Sequence, residues 1–369
     1  MRRPPLWLAA SALSAAITVG FGVARWIDHF RTDPYAEDTR IRIVAAHIGT
    51  TYGWSHIYDI DLQRASGIDL AHLYLSPPPS AWVTVPLLLL SVPIAYLVWT
   101  LVNLVAFAAA CWVVCGGSRF VRLTILLISL GLYPVHYQFW QGQWVATDLV
   151  FAALAWWLLD RDRPFLAGAA LAVPFFFKTQ DVLLLPLALL VSGRWRPIVG
   201  FVAVAVPLGI ASLASLGVAG TQAWLHSLSA VQTLPSMTYA VLFGRGTIAT
   251  VVEVGLGACA LALAWYRRDR LDLVFALGLV GTTASANYLH EFDVAILVLA
   301  AWIILRGEPS VVQKVWLLAG IAAMQFVAIG LPIPMLLWEA FWIPLLGLEP
   351  LFARRTEIAV RAQPQPART

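Results

Sequence analysis

Five short stretches of this chain carry the residue types that polar chemistry needs. Glu37-Asp38 offers a carboxylate able to take a proton from a hydroxyl. Tyr137-Gln138-Phe139-Trp140-Gln141-Gly142-Gln143-Trp144 places Gln141 and Gln143 on either side of a glycine, a hydrogen-bonding wall for a hydroxyl-rich ligand. Lys178, in Lys178-Thr179-Gln180-Asp181, is one of two lysines and follows Phe175-Phe176-Phe177, so it sets an ammonium beside an apolar groove. Arg245 is the sole Lys or Arg between Gly217 and Ile248. Asn287-Tyr288-Leu289-His290-Glu291-Phe292-Asp293 puts a histidine and two acids in an apolar region. Each stretch alone has a structural reading: a solvated loop, an interfacial aromatic turn, a snorkelling lysine, a hydrogen-bonded network. Together they supply cations for an anion, amides for hydroxyls and apolar surface for a tail. That is the chemistry an anionic, lipid-linked, polar substrate requires.

The elements that must hold these residues are set by composition. Of 369 residues, 60% are hydrophobic and 12% charged, where a soluble domain is about a quarter charged. A single globular core cannot hide that much apolar surface, so the bilayer takes the excess. Soluble, disordered and disulfide-scaffold classes are excluded. Cys111, Cys115 and Cys259 lie in apolar runs, which argues against a disulfide framework or a cysteine zinc site. No basic run is long enough for nucleic acid. We assign no cofactor and no metal ligands, while leaving a divalent metal open.

A first helix is expected from about Leu6 to Ile27, followed by a polar stretch from Asp28 to Pro79 that holds seven of the 20 acids and four of the seven histidines. Within it, Ile41, Val44, Ala45 and Ile48 share a helical face, which predicts a helix over 39–52 lying on the membrane surface. Beyond Pro79, apolar segments are expected at Ser80–Val92, Ile94–Val114, Leu123–Phe139, Trp144–Leu159, Phe165–Phe177, Val182–Val191, Ile198–Leu216, Thr247–Ala264, Leu271–Ala286, Val294–Leu305, Val315–Leu331 and Met335–Leu346. Several are short for a bilayer, as expected where helices line a cavity. The fold class is therefore an all-α polytopic membrane protein of about 12 transmembrane helices: one membrane domain over 1–360 and a disordered tail over 361–369. Six basic clusters, at Arg119/Arg122, Arg161/Arg163, Arg194/Arg196, Arg267/Arg268/Arg270, Arg306 with Lys314, and Arg354/Arg355, place their loops and the N-terminus in the cytoplasm. The 28–79 loop and all seven histidines then lie outside the plasma membrane. That scheme allows one net crossing between Pro79 and Arg119, although the stretch reads as two helices.

An N-terminal helix, an outer loop with an acid near its start, surface helices and then a chain of short membrane helices resemble the GT-C superfamily of integral-membrane glycosyltransferases. Asp38 followed by Ala45-Ala46, then Gly53 through Tyr58-Asp59, is similar to the loop of glycosyltransferase family 87. Ser76-Pro77-Pro78, Gly142-Gln143, Ala167-Gly168 leading to Lys178, and Tyr288-Leu289-His290 resemble further elements of that family. Thr39, Arg42 and Ile43 stand where the family has aromatics after the acid. The resemblance implies a GT-C-like bundle with extracytoplasmic juxtamembrane helices in the first outer loop. It implies transfer of a sugar, mannose or another hexose or pentose, from a polyprenyl-phosphate donor to a lipid-linked or glycan acceptor among membrane lipids. Asp38 is then the catalytic base, with Lys178, His290 and Arg245 on the donor phosphate. Glu37, Tyr58, Asp59, Gln141, Gln143, Asn287 and Glu291 are the candidates for sugar and acceptor contacts. One carboxylate suffices for direct, inverting displacement, since no matched second carboxylate is evident for a retaining mechanism. A transporter or flippase of a lipid-linked or polar solute is the competing class; it predicts an internal repeat and midplane polar residues, whereas here the polar residues gather toward one face.

Overall fold

A computed structural model of the protein describes residues 6–32, 36–68, 73–232, 246–286, 289–307 and 309–361. Every regular element among them is helical. The chain opens with α1 (Leu6–Thr32), then the loop helices α2 (Glu37–Tyr52), α3 (Ile60–Ala65) and α4 (Pro78–Trp82). There follow α5 (Val92–Val114), α6 (Arg119–Gly131), α7 (Tyr133–Gln141), α8 (Val145–Leu159), α9 (Pro164–Phe175) and α10 (Leu184–Val191). The last six are α11 (Trp195–Gln232), α12 (Thr247–Tyr266), α13 (Leu271–Ala284), α14 (Leu297–Arg306), α15 (Val311–Phe326) and α16 (Ile333–Arg361).

Prolines and hydroxyl caps set many of the starts. α4, α5, α7 and α9 each begin on a proline in the first turn, where its missing N–H costs nothing. The side chains of Ser118 and Ser310 cap α6 and α15 by accepting from Val121 N and Gln313 N.

By length and apolarity, five helices among the described residues suffice to cross a membrane: Leu8–Thr32, α5, Trp195–Ser229, α12 and Val311–Ile329. The pair α6–α7, bent by 66° before Tyr133-Pro134, counts as a sixth if it is one span, and it splits the single segment expected over 123–139. This is fewer than the expected count of about 12. The physical reason is visible in α13, where every residue from Leu273 to Thr283 is buried. Such a helix is apolar all round because other helices surround it, so its hydrophobicity does not report lipid contact.

Two boundaries differ from expectation. Ser80–Val92 is not a spanning segment: it holds α4 and a short 3₁₀ turn over Val85–Leu89, so α5 alone runs from Val92 to Val114. Second, α11 breaks at Gly217 (φ 62°, ψ −169°) and a second helical stretch follows the kink, so residues 218–232 are helix rather than connection. The helix α2 buries Arg42, Ala46 and Gly49 in addition to the expected Ile41, Ala45 and Ile48.

The main core is built from α5, α8, α9, α10, α13, α14 and the start of α16. Close backbone approach locks α9 to α11: a Cβ at Gly168 would stand 1.8 Å from Pro197 O, and one at Gly200 2.0 Å from Phe165 O. A smaller core knits the outer loop. Tyr58 stacks on Tyr74 and Trp224, and Trp224 Nε1 donates to Leu75 O, tying the second half of α11 to the loop.

The ends of the bundle differ in charge. Arg306, at the end of α14, donates to Val113 O and Val114 O of α5 and pairs with Asp160 after α8. Arg122 of α6 donates to Trp112 O in the same region. The opposite ends of α8 and α14 meet the polar stretches singled out above.

Candidate active site

The site is assembled from four connections far apart in sequence. Asp38 sits in the first turn of α2, where the positive end of the helix dipole favours an anion. It is partly buried, whereas Glu37 beside it is exposed. The side chain of Gln143 lies beside Asp38, and Lys178 and His290 are close enough to act on its charge. Burial pushes the Asp38 carboxyl above the usual carboxylate range; Arg42, then Lys178 and His290, and the Gln143 side chain pull it back down.

Arg42 lies one turn after Asp38 and is 4% exposed. Its guanidinium carbon is 4.4 Å from the Trp144 ring centre and 5.1 Å from that of Trp99, and Trp144 stacks on Phe177 at 4.3 Å. One terminal nitrogen donates to Gly142 O and to Thr39 Oγ1. Gly142 closes α7 in a left-handed turn (φ 70°), and a Cβ there would stand 2.1 Å from Thr39 Oγ1. A glycine is therefore required where α2 and α7 meet. This junction brings Gln143 to Asp38.

Lys178 precedes the 3₁₀ turn Thr179–Asp181 and forms a buried ion pair with Asp293. Its ammonium lies 4.4 Å from the Phe292 ring centre. The second oxygen of Asp293 accepts from His290 N at 2.8 Å, and the His290 ring stacks on Phe292 with centres 5.0 Å apart. Asp293 thus ties the lysine to the histidine loop. Tyr137 packs on Phe292 at 6.0 Å and accepts from Gln141 Nε2 at 2.9 Å. Glu291 and Asp38 both act on the Tyr137 hydroxyl.

Asp38, Gln141, Gln143, Lys178, His290 and Glu291 are therefore gathered, with Glu37 at the rim. Tyr58 and Asp59 serve the loop itself. The Tyr58 hydroxyl donates to Ser76 O at 2.7 Å, and Asp59 caps α3 by accepting from Asp61 N and Leu62 N. Arg245 and Asn287 lie outside the described residues.

Sequence reading missed Arg42, Asp148 and the pairing role of Asp293. Asp148 is hidden in the apolar run of α8, where it is fully buried next to Asp181. A lone acid in such a run was the signal available. Among the described residues no group of three His, Cys, Asp or Glu is arranged to hold a metal ion.

A partly buried carboxylate, a fixed ammonium, an imidazole and amides around one point can deprotonate a hydroxyl and hold an anion. Comparison with curated proteins and with solved structures finds no match. The family model of glycosyltransferase family 87 matches residues 74–289, more than half of the chain; Asp38 lies before that stretch and His290 directly after it. On this match the chain belongs to glycosyltransferase family 87 and is a membrane glycosyltransferase.

Proposed function

We propose that the protein transfers a sugar, mannose or another hexose or pentose, from a polyprenyl-phosphate donor to a glycolipid or glycan acceptor at the extracytoplasmic face of the plasma membrane. The observation that supports this reading is the convergence of Gln143, Lys178 and His290, from separate connections, around Asp38. The acceptor hydroxyl attacks the anomeric carbon as the bond from that carbon to the phosphate oxygen breaks. The bonding pair leaves with the phosphate, and the hydroxyl proton passes to Asp38. Lys178 and His290, with Arg245, hold the departing phosphate; Gln141, Gln143, Glu291 and Asn287 face sugar hydroxyls. Attack opposite the leaving group inverts the anomeric centre. Polyprenyl phosphate is a good leaving group, so the protein's work is proton removal and charge stabilisation.

In this reading the arginine-rich helix ends face the cytoplasm and the site end faces out. The long apolar helices cross the bilayer in this reading, and the shorter apolar helices α8, α9, α13 and the start of α16 complete the bundle between them. Mass spectrometry of envelope glycolipids and glycans from a strain lacking the protein is the direct test. Loss of one defined sugar residue is expected, and an unaltered set of glycans would overturn the proposal.

A further inference from the structure

Arg42 stands out because a buried guanidinium needs an anion, and none of the ion pairs among the described residues includes it. Its second terminal nitrogen, Nη1, is buried with no hydrogen-bond partner. The side chain is nevertheless fixed by two indole rings, by Gly142 O and by Thr39 Oγ1. A clamped arginine cannot swing out to water, so its charge acts on whatever lies one helical turn away on the same helix. That residue is Asp38.

The other groups around Asp38 supply less fixed positive charge. Lys178 is matched by Asp293, so the pair acts on Asp38 largely as a dipole. Gln143 and Tyr137 are neutral groups, Glu37 on the same turn adds negative charge, and His290 has its imidazole stacked on Phe292. We infer that Arg42 is a positioning residue for the transfer reaction: its clamped guanidinium supplies the fixed charge that keeps Asp38 in its proton-accepting form. This rests on the reading of Asp38 as the base. The two groups act on each other reciprocally: burial lowers the Arg42 pKa to about 10, and Asp38 and then Tyr74 oppose that shift.

The test is read on Asp38 itself, without turnover. Dicyclohexylcarbodiimide modifies protonated carboxyls, and peptide mass spectrometry reports the modification at Asp38 separately from Glu37, Glu291 and the other acids. The full-length protein in lipid nanodiscs is labelled across a pH series. Arg42→Met, which fills the tryptophan clamp with an uncharged chain, should raise the labelling midpoint of Asp38 by about one pH unit or more, the size expected for loss of a nearby opposite charge. Arg42→Lys should keep the midpoint within about half a unit of the native protein, because the charge is retained. An unchanged midpoint in Arg42→Met overturns the inference. So does failure of Arg42→Met and Arg42→Gln to yield folded protein while Arg42→Lys folds, because the charge is then needed for the fold. The reading of Asp38 as base fails by a different result: native turnover of a polyprenyl-phosphate-mannose donor by Asp38→Asn.

Discussion

Two cations, an imidazole and an amide converge on Asp38, and their balance gives its chemistry a direction. Burial raises the Asp38 pKa, so the base is spent at low pH and recovered as pH rises through a value above the usual carboxylate range. The pH profile of kcat/KM should show that acid limb. The same shift has a sign for stability. A carboxyl with a raised folded-state pKa favours the fold most where it is protonated, and that contribution is lost as pH climbs from the unfolded value of 3.8 through the folded one. Asp38→Asn should therefore melt no lower than the native protein at neutral pH while transfer falls about 10²–10⁴-fold. Glu37→Gln should remain near native rates, because Glu37 is exposed beside the pocket; a dead Glu37→Gln enzyme with an active Asp38→Asn would move the base by one residue. Lys178 and Asp293 form a second unit. The Lys178 side chain is 10% exposed and that of Asp293 is fully buried, so Lys178→Ala strands a buried carboxylate and should cost about 3–5 kcal/mol of stability. The double variant Lys178→Ala with Asp293→Asn should recover most of the melting temperature and none of the turnover, which separates structural pairing from phosphate contact.

Among the elements, the junction of α2 with α7 depends on one glycine. Gly142→Ala meets both a left-handed backbone and Thr39 Oγ1 at 2.1 Å, so it should destabilise by more than about 1 kcal/mol and pull Gln143 from Asp38. A paired fall in melting temperature and kcat checks it. The elements were unequally readable in the sequence. The run of helix-spaced apolar residues over 39–52 gave α2, because Ile41, Ala45 and Ile48 are its buried face. Arg42 on that same face gave no signal of its own: a cation in a polar loop reads as solvated, and only the folding of Trp99 and Trp144 onto α2 makes it buried. Gly142 was legible as a turn between amides but not as a close contact, since its partner Thr39 is about a hundred residues away. Over 80–92 the apolar composition suggested a spanning helix, yet Pro79 and Pro86 allow only short turns there before Pro93 restarts the chain as α5. Asp148 could not be paired with Asp181 from sequence, because α8 and the turn after α9 meet only in three dimensions.

Across the whole molecule, the candidate site and the Arg306–Asp160 contact lie at opposite ends of α8 and α14. α8 and α14 each carry a site residue's connection at one end and a contact of Arg306 at the other. In the proposed positive-inside orientation the site faces outside. A cysteine placed at the exposed Ser66, in the loop that carries α2 and α3, should be labelled by an impermeant maleimide on intact cells; labelling only after permeabilisation would reverse the orientation. The central claim is that this pocket moves a sugar from a polyprenyl phosphate with Asp38 as base. Its most direct test is the purified protein in nanodiscs, given polyprenyl-phosphate-mannose and glycolipids extracted from the same envelope, with released polyprenyl phosphate and newly formed glycolipid both measured. The two products should accumulate together with the native protein and fall about 10²–10⁴-fold with Asp38→Asn. Equal release by the native and Asp38→Asn proteins would contradict it.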